Sequence, residues 1–516
     1  MRDNLQLAAV LKEIDVIRIQ GSTRGQVASI CYDSRKCGSG SLFVAIPGLK
    51  TDGHQYIPEA LARGARYIVH EQEFRPPAGV TAIQVGDSRL ILGRLGRNFF
   101  HHPSQDLCLI AVTGTNGKTT VTYLVEAILR AAGLRPGVLG TVNYRYGDKV
   151  LPAPNTTPES FDMHQILRQM ADAGVTHVIA EVSSHAVDLR RIDDCDFDLG
   201  IFTNLSQDHL DYHGDMERYF AAKKRFFSDV LPHSHKKRPR QMIINGDDPW
   251  GERLQREVPL CGLTFGIDRP ADLRAVNFTL SPRGTEALLE WQREKIPVSS
   301  PLIGRHNLYN ILAAAAAALA IDIPAKDILV GIGAMTCVPG RLEKVNRPGE
   351  PEVLVDYAHT EDALAKVLKN LAAFRTNRLI TVFGCGGDRD RSKRPLMGRA
   401  AVRGSDIAIL TSDNPRSEDP LAILGEIEVG VIGEGVGKYD REELLAEPPV
   451  QGYAVIPDRL TAIETAIAIA RPGDIVLIAG KGHEDYQIVG SRRLFFDDRL
   501  AARAALDKHR SSEAPS

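Results

Sequence analysis

The chain has 516 residues, which is too long for one hydrophobic core and predicts about three or four domains. Hydrophobic residues at 43% and charged residues at 25% are ordinary values for a globular protein. The formal net charge of −2 gives no electrostatic case for binding nucleic acid or an acidic membrane surface.

Sorting signals and cysteines give a consistent expectation about location. No uninterrupted apolar stretch reaches the length of a membrane span, and residues 1–5 lack the charged and apolar regions of a signal peptide. The seven cysteines include no CxxC motif, and Cys31 and Cys37 are spaced unlike a zinc-binding pair. We therefore predict reduced thiols in a cytoplasmic protein without membrane insertion.

Residues 1–103 are predicted to form a small α/β domain. Strand-like runs at residues 41–46 and 65–69 alternate with helical segments. A break that begins at Pro103 separates this unit from the apolar strand that follows.

Residues 109–120 carry the strongest chemical signal, an apolar strand that leads into Thr113-Gly-Thr-Asn-Gly-Lys-Thr-Thr120. Such a glycine-rich turn directs backbone N–H groups at phosphate oxygens and places a lysine and a hydroxyl beside them. Val112 stands where the usual phosphate loop has a small residue. The next helix is recognisable from apolar residues that recur on one face, namely Val121, Leu124, Val125, Ile128 and Leu129. The segment predicts a nucleotide site.

Residues 104–338 are predicted to contain a mostly parallel sheet. Short apolar runs such as 176–182 and 199–203 alternate with helical stretches and end in polar residues. Open sheets of this type bind ligands beyond the carboxyl ends of their strands, so these polar ends are candidate sites. The alanine run at 313–318 predicts a well-packed helix.

Three side chains of this middle region are considered as metal ligands or catalytic groups. Glu181 closes a strand and would suit Mg²⁺ near Thr119, because Mg²⁺ favours one or two carboxylates together with phosphate oxygens. His209 either adds a ligand to a second ion or is a hydrogen-bonded structural histidine. By its pattern alone, Lys223 is interpreted as a lysine on a helix surface.

Residues 339–516 are predicted to form a doubly wound domain. Buried-type strands at residues 352–356, 379–383, 407–411 and 475–479 are each followed by a polar or glycine-rich cluster. Three of these clusters contain Arg389, Arg416 and Glu484. Because arginine offers a planar, two-pronged donor to a carboxylate, the clusters predict a pocket for a zwitterion that has carboxylates and an amine.

Taken together, these segments resemble the Mur ligases of bacterial peptidoglycan synthesis, and among them the enzymes that add diaminopimelate. The resemblance covers nearly the whole chain, and the family's phosphate loop shares the departure at Val112. The matching motifs are Asp33-Ser-Arg35, Thr113-Gly-Thr-Asn-Gly-Lys-Thr-Thr120, Asn155-Thr-Thr157, Glu181-Val-Ser-Ser-His185, Asp208-His-Leu-Asp211, Gly304-Arg-His-Asn307, Asp356-Tyr-Ala-His359, Asp413-Asn-Pro-Arg416 and Gly480-Lys-Gly-His-Glu484.

The resemblance implies an α/β protein of three domains. These are a small N-terminal UDP-binding domain at 1–103, a central P-loop ATPase-type domain at 104–338 and a C-terminal Rossmann-like, amino-acid-binding domain at 339–516. It also implies a monomer whose ligands are UDP-N-acetylmuramoyl-L-alanyl-D-glutamate, ATP and meso-diaminopimelate. ATP would activate the D-glutamyl γ-carboxylate as an acyl phosphate, which the amine of diaminopimelate then attacks.

The family's contacts are carried over to the matching positions. For the UDP-linked substrate these are Tyr32, Ser34, Leu49, Lys50, Thr51, Asn155, Thr156, Thr157, Ser183 and Arg191, whereas Leu189 stands where the family often has glutamine and is not included. For ATP they are Gly114, Thr115, Asn116, Gly117, Lys118, Thr119, Thr120, Asn310, Arg341 and Asp356. For diaminopimelate they are Arg389, Asp413, Asn414, Pro415, Arg416, Gly480 and Glu484.

The resemblance also assigns the groups closest to the chemistry. The catalytic residues are Lys118, Glu181, His209 and Lys223, and the implied Mg²⁺ ligands are Thr119, Glu181, His209 and Lys223 as a carbamate. Addition of CO₂ would turn a repelled ammonium into an anionic oxygen ligand. This role replaces the surface interpretation of Lys223.

Three alternatives stay open at this stage. The first is the same ligase with lysine as the acceptor, which the Asp413-Asn-Pro-Arg416 loop disfavours. The second is a ligase similar to folylpolyglutamate synthetase, against which the Asp33-Ser-Arg35 motif argues. The third is a non-enzymatic nucleotide switch, which would have no use for two further domains.

Overall fold

The computed structural model describes residues 5–48, 51–237, 240–281, 283–347 and 349–513. These residues form a three-domain α/β fold in which each domain has a large sheet of its own. Among the described residues, no helix is both long enough and apolar enough to cross a membrane.

The N-terminal domain contains a five-stranded sheet and a separate two-stranded pair. Its elements are β1 (Leu5–Gln6), α1 (Leu7–Val10), β2 (Val16–Gln20), β3 (Gln26–Val27), β4 (Ser29–Cys31), β5 (Ser41–Val44), α2 (Ile57–Ala62), β6 (Tyr67–His70), β7 (Thr81–Val85) and α3 (Ser88–Phe99). The sheet order is β2-β7-β6-β5-β4, parallel except for β2, while β1 pairs with β3. A 3₁₀ turn, Ser34–Lys36, follows β4 and is capped by the side chain of Asp33. This turn places the Asp33-Ser-Arg35 segment beyond the carboxyl end of a parallel strand, with Ser34 buried and Arg35 exposed.

The central domain is built on an eleven-stranded sheet. Its strands are β8 (Cys108–Thr113), β9 (Pro136–Leu139), β10 (Tyr144–Tyr146), β11 (Lys149–Leu151), β12 (His177–Glu181), β13 (Leu199–Phe202), β14 (Gln241–Asn245), β15 (Gly262–Gly266), β16 (Leu273–Ser281), β17 (Gly284–Trp291) and β18 (Glu294–Ser300). The order is β11-β10-β9-β12-β8-β13-β14-β15-β16-β17-β18, and the parallel strands from β9 to β16 lie at its centre. The mostly parallel sheet is confirmed, but the antiparallel additions at both ends are absent from the sequence prediction.

Helices cover both faces of the central sheet. They are α4 (Lys118–Ala131), α5 (Ser160–Asp172), α6 (Ser184–Asp188), α7 (Leu210–His213), α8 (Met216–Arg225), α9 (Pro249–Glu257), α10 (Arg305–Ala320) and α11 (Ala325–Ala334), and a π-helical turn at Phe226–Val230 extends α8. The predicted apolar face of α4 and the alanine run of α10 share one buried core. Alanine suits α10 because it combines high helix propensity with a side chain small enough for close packing against the sheet.

The C-terminal domain is a doubly wound unit with a six-stranded sheet. Its elements are β19 (Glu343–Lys344), β20 (Glu352–Asp356), α12 (Glu361–Ala372), β21 (Leu379–Phe383), α13 (Lys393–Gly404), β22 (Ile407–Leu410), α14 (Pro420–Ile432), α15 (Arg441–Ala446), β23 (Gly452–Val455), α16 (Arg459–Ala468), β24 (Ile475–Ala479), β25 (Tyr486–Val489), β26 (Arg492–Phe495) and α17 (Asp498–Glu513). The order is β19-β20-β24-β21-β22-β23, parallel apart from β19, and β25 and β26 form a hairpin. The carboxyl ends of β20, β21, β22 and β24 therefore meet at one edge, which is where the polar clusters were predicted.

Candidate active site

The phosphate loop joins β8 to α4 in a backbone shape that requires glycine. Gly114 and Gly117 have φ values of +139° and +90°. A Cβ atom on Gly114 would lie 2.0 Å from Oγ1 of Thr203, and one on Gly117 would lie 2.3 Å from Oδ1 of Asn310. The absence of side chains lets the loop pack against Asn310 and leaves its N–H groups at the start of α4, where an anion is favoured.

Lys118, the first residue of α4, folds back over this loop. Its Nζ donates hydrogen bonds to the carbonyl oxygens of Gly114 (2.9 Å) and Thr115 (2.8 Å). Burial lowers the pKa of Lys118, while the carboxylates of Glu181 and Asp208 act in the opposite direction. Among the described residues no carboxylate pairs directly with this ammonium, so it is held at the loop in a position suited to a phosphate.

Glu181 and Thr119 present oxygen atoms close to the loop. Glu181 ends β12 and is buried, and its carboxylate accepts hydrogen bonds from the backbone N–H (3.1 Å) and hydroxyl (2.7 Å) of Thr141. The hydroxyl of Thr119 accepts a hydrogen bond from Arg341 (3.4 Å). In the part of the chain that the structure describes, no group of three His, Cys, Asp or Glu side chains is arranged to hold a metal. A hydroxyl and a carboxylate fit Mg²⁺, which takes oxygen ligands and commonly completes its shell with phosphate and water.

Lys223 is not on the surface, so the interpretation from its pattern alone was wrong. It is 1% exposed, and its Nζ donates a hydrogen bond of 2.9 Å to the carbonyl oxygen of Gly114. Burial lowers the pKa of Lys223 well below its usual value, and the ammonium of Lys118 lowers it further. The amine therefore lies beside the phosphate loop in surroundings that oppose its charged form.

His209 lies at the same end of the sheet in a left-handed backbone conformation, with φ +55°. Its Nε2 is 3.3 Å from Oδ2 of Asp208, and its ring is edge-on to that of His185 at a centroid distance of 4.9 Å. The side chain is 43% exposed. These contacts test neither of its predicted roles, so metal ligand and structural histidine both stay predictions.

Two side chains of the C-terminal domain face the phosphate loop. Arg341, which contacts Thr119, also lies over the ring of Tyr357 at 4.6 Å. Asn116 donates a hydrogen bond to the carboxylate of Asp362 at the start of α12 (3.3 Å). The nucleotide loop is therefore in contact with the domain that carries the predicted amino-acid pocket.

Asp356, at the end of β20, stabilises the C-terminal side of this contact between the two domains. Its carboxylate accepts hydrogen bonds from the backbone N–H groups of Leu342 (2.7 Å) and Ala358 (2.8 Å). Burial raises the pKa of Asp356, and the nearby Arg341 acts in the opposite direction. The contact with Leu342 fixes the segment that carries Arg341.

Two of the predicted uridine positions, Tyr32 and Ser34, lie at the 3₁₀ turn after β4. The hydroxyl of Tyr32 donates to Asp162 on α5, and that of Ser34 donates to Glu59 on α2 (2.7 Å). The backbone carbonyl of Thr51 accepts from Gly48 (2.9 Å). Leu49 and Lys50 lie outside the described residues. The hydrogen bond from Tyr32 to Asp162 connects the N-terminal domain to the central domain.

The predicted sugar-peptide positions form a hydrogen-bonded group that reaches Glu181. Thr156 shares a hydroxyl hydrogen bond (3.2 Å) with Thr141, which also binds the Glu181 carboxylate. The Thr157 hydroxyl donates to the Glu181 carbonyl (2.8 Å), and Arg191 donates to the Thr157 carbonyl (3.1 Å).

Asn155 and Ser183 have structural contacts in the same group. The carbonyl of Asn155 accepts from the hydroxyl of Tyr144, and the hydroxyl of Ser183 caps α6 by accepting from Ala186 (3.1 Å). Thr141, which connects the two parts of the site, was missed in the sequence because a threonine after a short strand carries no distinctive signal.

The three polar loops of the C-terminal domain meet as predicted. Arg416, at φ +52°, donates from its guanidinium to the carbonyl of Gly387 (2.7 Å), so the second loop touches the first. Asn414 donates to the carboxylate of Glu484 (2.9 Å), which joins the second loop to the third. Arg389 is exposed and donates to the carbonyl of Asp388 (3.1 Å).

Close backbone packing holds these loops together. A Cβ atom on Gly387 would lie 1.9 Å from the carbonyl oxygen of Pro415, and Gly480 has φ +113°. Either position would be strained with a larger residue.

Lys481 is a buried cation within this cluster that the sequence did not single out. It has no exposed side-chain surface, and its Nζ lies 3.3 Å from Oδ1 of Asn414, 3.4 Å from Oε2 of Glu484 and 3.6 Å from Oδ1 of Asp413. The sequence feature that could have identified Lys481 is its position in a Gly-Lys-Gly turn after a buried strand. Burial and the negative charge of Asp413 raise the pKa of Glu484, whereas Lys481 acts against that rise.

Arg459 and Asp498 form a fully buried ion pair behind the loops. Two guanidinium nitrogens donate to the carboxylate of Asp498 at 2.7 Å each, and the remaining donors reach the carbonyls of Ala479 (3.0 Å) and Ser412 (3.5 Å). These carbonyls immediately precede Gly480 and Asp413. The pair therefore anchors two of the three loops.

Removal of the Asp498 carboxylate should destabilise the C-terminal domain strongly. Asp498→Ala leaves a buried guanidinium without its counter-ion, and we expect the free energy of unfolding to fall by about 3–5 kcal/mol. Urea unfolding followed by circular dichroism measures this. Glu464→Ala, which removes a half-buried partner of the exposed Lys508, is the control and should change the value by less than about 1 kcal/mol. Equal effects of the two substitutions would contradict the anchoring role.

Comparison with known proteins agrees with this geometry. Family models match residues 112–318 as a Mur ligase middle domain, residues 340–482 as a Mur ligase glutamate ligase domain and residues 26–100 as a Mur ligase family catalytic domain. The chain belongs to the Mur ligase family.

Its similarity to curated relatives extends over almost the full length. It is 47% identical over 501 residues to a Geobacter metallireducens protein named UDP-N-acetylmuramoyl-L-alanyl-D-glutamate--2,6-diaminopimelate ligase, covering 97% of this chain and 98% of the relative. A Geobacillus kaustophilus protein of the same name is 42% identical over 502 residues, covering 97% and 99%.

Solved structures give the same fold. A structure of UDP-N-acetylmuramoyl-L-alanyl-D-glutamate--2,6-diaminopimelate ligase superposes with a TM-score of 0.67 at 32% identity, covering 98% of this chain and 99% of that one. Mycobacterium tuberculosis folylpolyglutamate synthase complexed with ADP resembles the chain in fold alone, with a TM-score of 0.60, 17% identity and coverage of 83% and 95%.

Proposed function

We propose that this Mur ligase adds meso-diaminopimelate to UDP-N-acetylmuramoyl-L-alanyl-D-glutamate at the expense of ATP, with ADP and phosphate as products. The observation that carries the proposal is that Thr119 of the phosphate loop contacts the C-terminal domain, while the proposed metal ligand Glu181 is linked by hydrogen bonds to a predicted sugar-peptide position. Thr119 meets Arg341 of the C-terminal domain, and Glu181 is hydrogen-bonded through Thr141 to Thr156. The names of the relatives described above support the choice of substrates.

The reaction has two steps. An oxygen of the D-glutamyl γ-carboxylate attacks the γ-phosphorus of ATP, and ADP leaves to give an acyl phosphate. The amine nitrogen of diaminopimelate then attacks the acyl carbon, loses a proton and expels phosphate, which forms the amide. Both steps require a site that separates the reacting carboxylate and amine from water and holds them in line.

The residues of the chain have distinct roles in this scheme. The N–H groups of the 114–120 turn and the ammonium of Lys118 hold the phosphates of ATP and stabilise the charge that develops on the transferred group. Thr119 and Glu181 would hold Mg²⁺, with His209 and a carbamate on Lys223 as further ligands. When bound, the ion supplies positive charge to the phosphate oxygens.

Carbamylation of Lys223 is supported by its burial and by the lowered pKa of its amine. An ammonium at this position faces Lys118 and loses hydration, whereas the neutral amine is the form that combines with CO₂. The product is an anion beside Lys118, so the modification converts a repulsion into an attraction. Asn310, Arg341 and Asp356 complete the proposed nucleotide site.

The remaining assignments follow the same scheme. Residues 1–103 bind the uridine end, 104–338 bind ATP, and 339–516 bind the amino acid through Arg389, Asp413, Asn414, Pro415, Arg416, Gly480 and Glu484. We also propose that the enzyme works in the cytoplasm as a monomer, and that the C-terminal domain moves relative to the central one during turnover because nucleotide and amino acid bind on different domains.

Phosphate release in which only the amino acid varies tests the proposed acceptor. With the UDP-linked dipeptide and ATP, meso-diaminopimelate should support turnover, whereas L-lysine should give a kcat/KM lower by roughly 10³-fold or more. The reason is that lysine lacks the distal carboxylate and leaves Arg416 without a carboxylate partner. Comparable rates would favour a lysine-adding ligase, and release dependent on a folate would favour the folylpolyglutamate alternative.

Arg416→Ala should affect diaminopimelate and spare ATP. Loss of a guanidinium that pairs with a carboxylate in a partly buried site should raise the KM for diaminopimelate by about 10²-fold, with the KM for ATP nearly unchanged. Steady-state kinetics with each substrate varied in turn measure the two constants. Arg403→Ala, which removes an exposed partner of Glu434, serves as the control and should behave like the wild type. An unchanged diaminopimelate KM would contradict the clamp.

A further inference from the structure

Lys481 is a buried cation to which the proposed reaction assigns no role. Its side chain has no exposed surface, and it lies in the 480–482 turn that follows the buried strand β24. Gly482 lets this turn pack tightly, because its φ is +53° and a Cβ atom there would lie 2.7 Å from Cβ of Tyr357. The backbone N–H of Glu484 donates to the carbonyl oxygen of Lys481 (3.0 Å). This tight turn holds the lysine and the glutamate side by side.

The ammonium of Lys481 lies against one oxygen of the Glu484 carboxylate. Its Nζ donates a hydrogen bond to Oε2 of Glu484 (3.4 Å) and another to Oδ1 of Asn414 (3.3 Å). Asn414 in turn donates from Nδ2 to the same Oε2 (2.9 Å). Among the residues that the structure describes, no donor pairs with the other oxygen, Oε1. The protein thus fixes one oxygen of this carboxylate, and the second can accept a hydrogen bond from a ligand.

Lys481 also compensates the charge of Asp413. Oδ1 of Asp413 is buried without a hydrogen-bond partner in the described part of the chain, and it lies 3.6 Å from Nζ of Lys481. Burial and the charge of Asp413 both oppose ionisation of Glu484, whereas Lys481 favours it. An opposite charge within about 4–6 Å favours the ionised form of a carboxyl group. The lysine therefore keeps Glu484 in the anionic form that attracts an ammonium group.

We propose that Lys481 is a positioning residue for the amino-acid substrate, which orients the Glu484 carboxylate so that Oε1 accepts a hydrogen bond from an amine of diaminopimelate. The inference rests on the proposed function and deepens it. Because Lys481 has no exposed surface with which to contact the amino acid, its effect passes through Glu484.

Lys481→Met tests this role, because methionine has a similar length and carries no charge. With saturating ATP and UDP-linked dipeptide, we expect the KM for meso-diaminopimelate to rise by roughly tenfold or more, since small misplacements of binding groups are costly. The KM values for ATP and the UDP-linked dipeptide should stay nearly unchanged. Phosphate release measures all three constants. Lys438→Met, which removes an exposed partner of Glu428, is the matched control and should behave like the wild type.

The pH dependence separates this role from a general loosening of the loop. Without the ammonium of Lys481, the pKa of Glu484 rises further, so a higher pH is needed to form the anion. The acid limb of the pH profile of kcat/KM for diaminopimelate should therefore move to higher pH in Lys481→Met. Other titratable or charged groups that interact with Glu484 are present in both proteins, namely Asp413, Arg459, Tyr357 and Tyr486.

The double variant Lys481→Met/Glu484→Gln provides a second test, which removes one buried charge of each sign. Thermal unfolding checks that each variant is folded, and the double variant decides the question where the single one is not. Its KM for diaminopimelate should lie within about twofold of that of Glu484→Gln alone, because two residues that act through one contact are not additive.

Three outcomes would overturn the inference. They are an unchanged diaminopimelate KM in Lys481→Met, a raised KM without movement of the acid limb, and a double variant whose KM is roughly tenfold above that of Glu484→Gln. A wild type that releases no phosphate with diaminopimelate would instead refute the proposed function, so the two failures are distinguishable.

Discussion

Lys118→Ala is expected to abolish ATP-dependent ligation, with kcat lower by roughly 10³-fold or more. The ammonium of Lys118 lies on the phosphate loop and hydrogen bonds to the carbonyls of Gly114 and Thr115, which a bound phosphate would replace as its partner. Alanine supplies neither a positive charge nor a hydrogen-bond donor at the start of α4. Phosphate release in the presence of all three substrates measures the loss.

The loss must be shown to come from chemistry and not from the fold. Lys149→Ala, at an exposed position of β11, is the matched control and should retain the wild-type rate. Circular dichroism and thermal unfolding of both variants should match those of the wild type. Turnover retained in Lys118→Ala would contradict the role of this loop in the reaction.

Lys223→Ala is expected to reduce kcat by roughly 10²- to 10³-fold, because it removes a proposed anionic ligand beside the phosphates. The variant should be at least as heat-stable as the wild type. In the described residues the buried amine contacts the carbonyl of Gly114 and the ring of Tyr219 without an ion-pair partner, and burial opposes its charged form. Phosphate release and thermal unfolding provide the two measurements.

Lys224→Ala is the control for this substitution, because the neighbouring lysine pairs with Glu257 at the surface. It should leave kcat unchanged. NMR of the wild type supplied with isotope-labelled bicarbonate should show a carbamate carbonyl signal that Lys223→Ala lacks. A fully active Lys223→Ala would refute the proposed catalytic role, and an active wild type without the signal would refute the carbamate alone.

Much of the fold could be predicted because it follows local patterns. The strands at 352–356, 379–383 and 475–479 have the predicted bounds, since each is a short apolar run buried on both faces of a parallel sheet. The helix after the phosphate loop was likewise predictable, since its apolar residues recur with the helical period. The antiparallel strands β16, β17 and β18 were missed because alternating exposure on short hairpins gives a weaker signal than a continuous apolar run.

The candidate site was predictable only in part, for a different physical reason. The phosphate loop and the loop containing Arg416 are contiguous motifs, so their chemistry can be inferred from the sequence. The pattern around Lys223 predicted a surface position, and this was wrong. A lysine in a polar helix has the same local pattern whether its helix face contacts water or a phosphate loop. Its burial depends on the placement of α8 against Gly114, more than a hundred residues earlier in the chain.

The three α/β units, the nucleotide loop and the ligase family could be recognised in the sequence, because they depend on local periodicity and on short contiguous motifs. Which distant groups meet became apparent only in the folded protein. It brought Arg341 to Thr119, Thr141 between Glu181 and Thr156, and Lys481 into the cluster of Asp413, Asn414 and Glu484. These contacts arise from the packing of separate sheets and the convergence of strand ends, which no local pattern encodes.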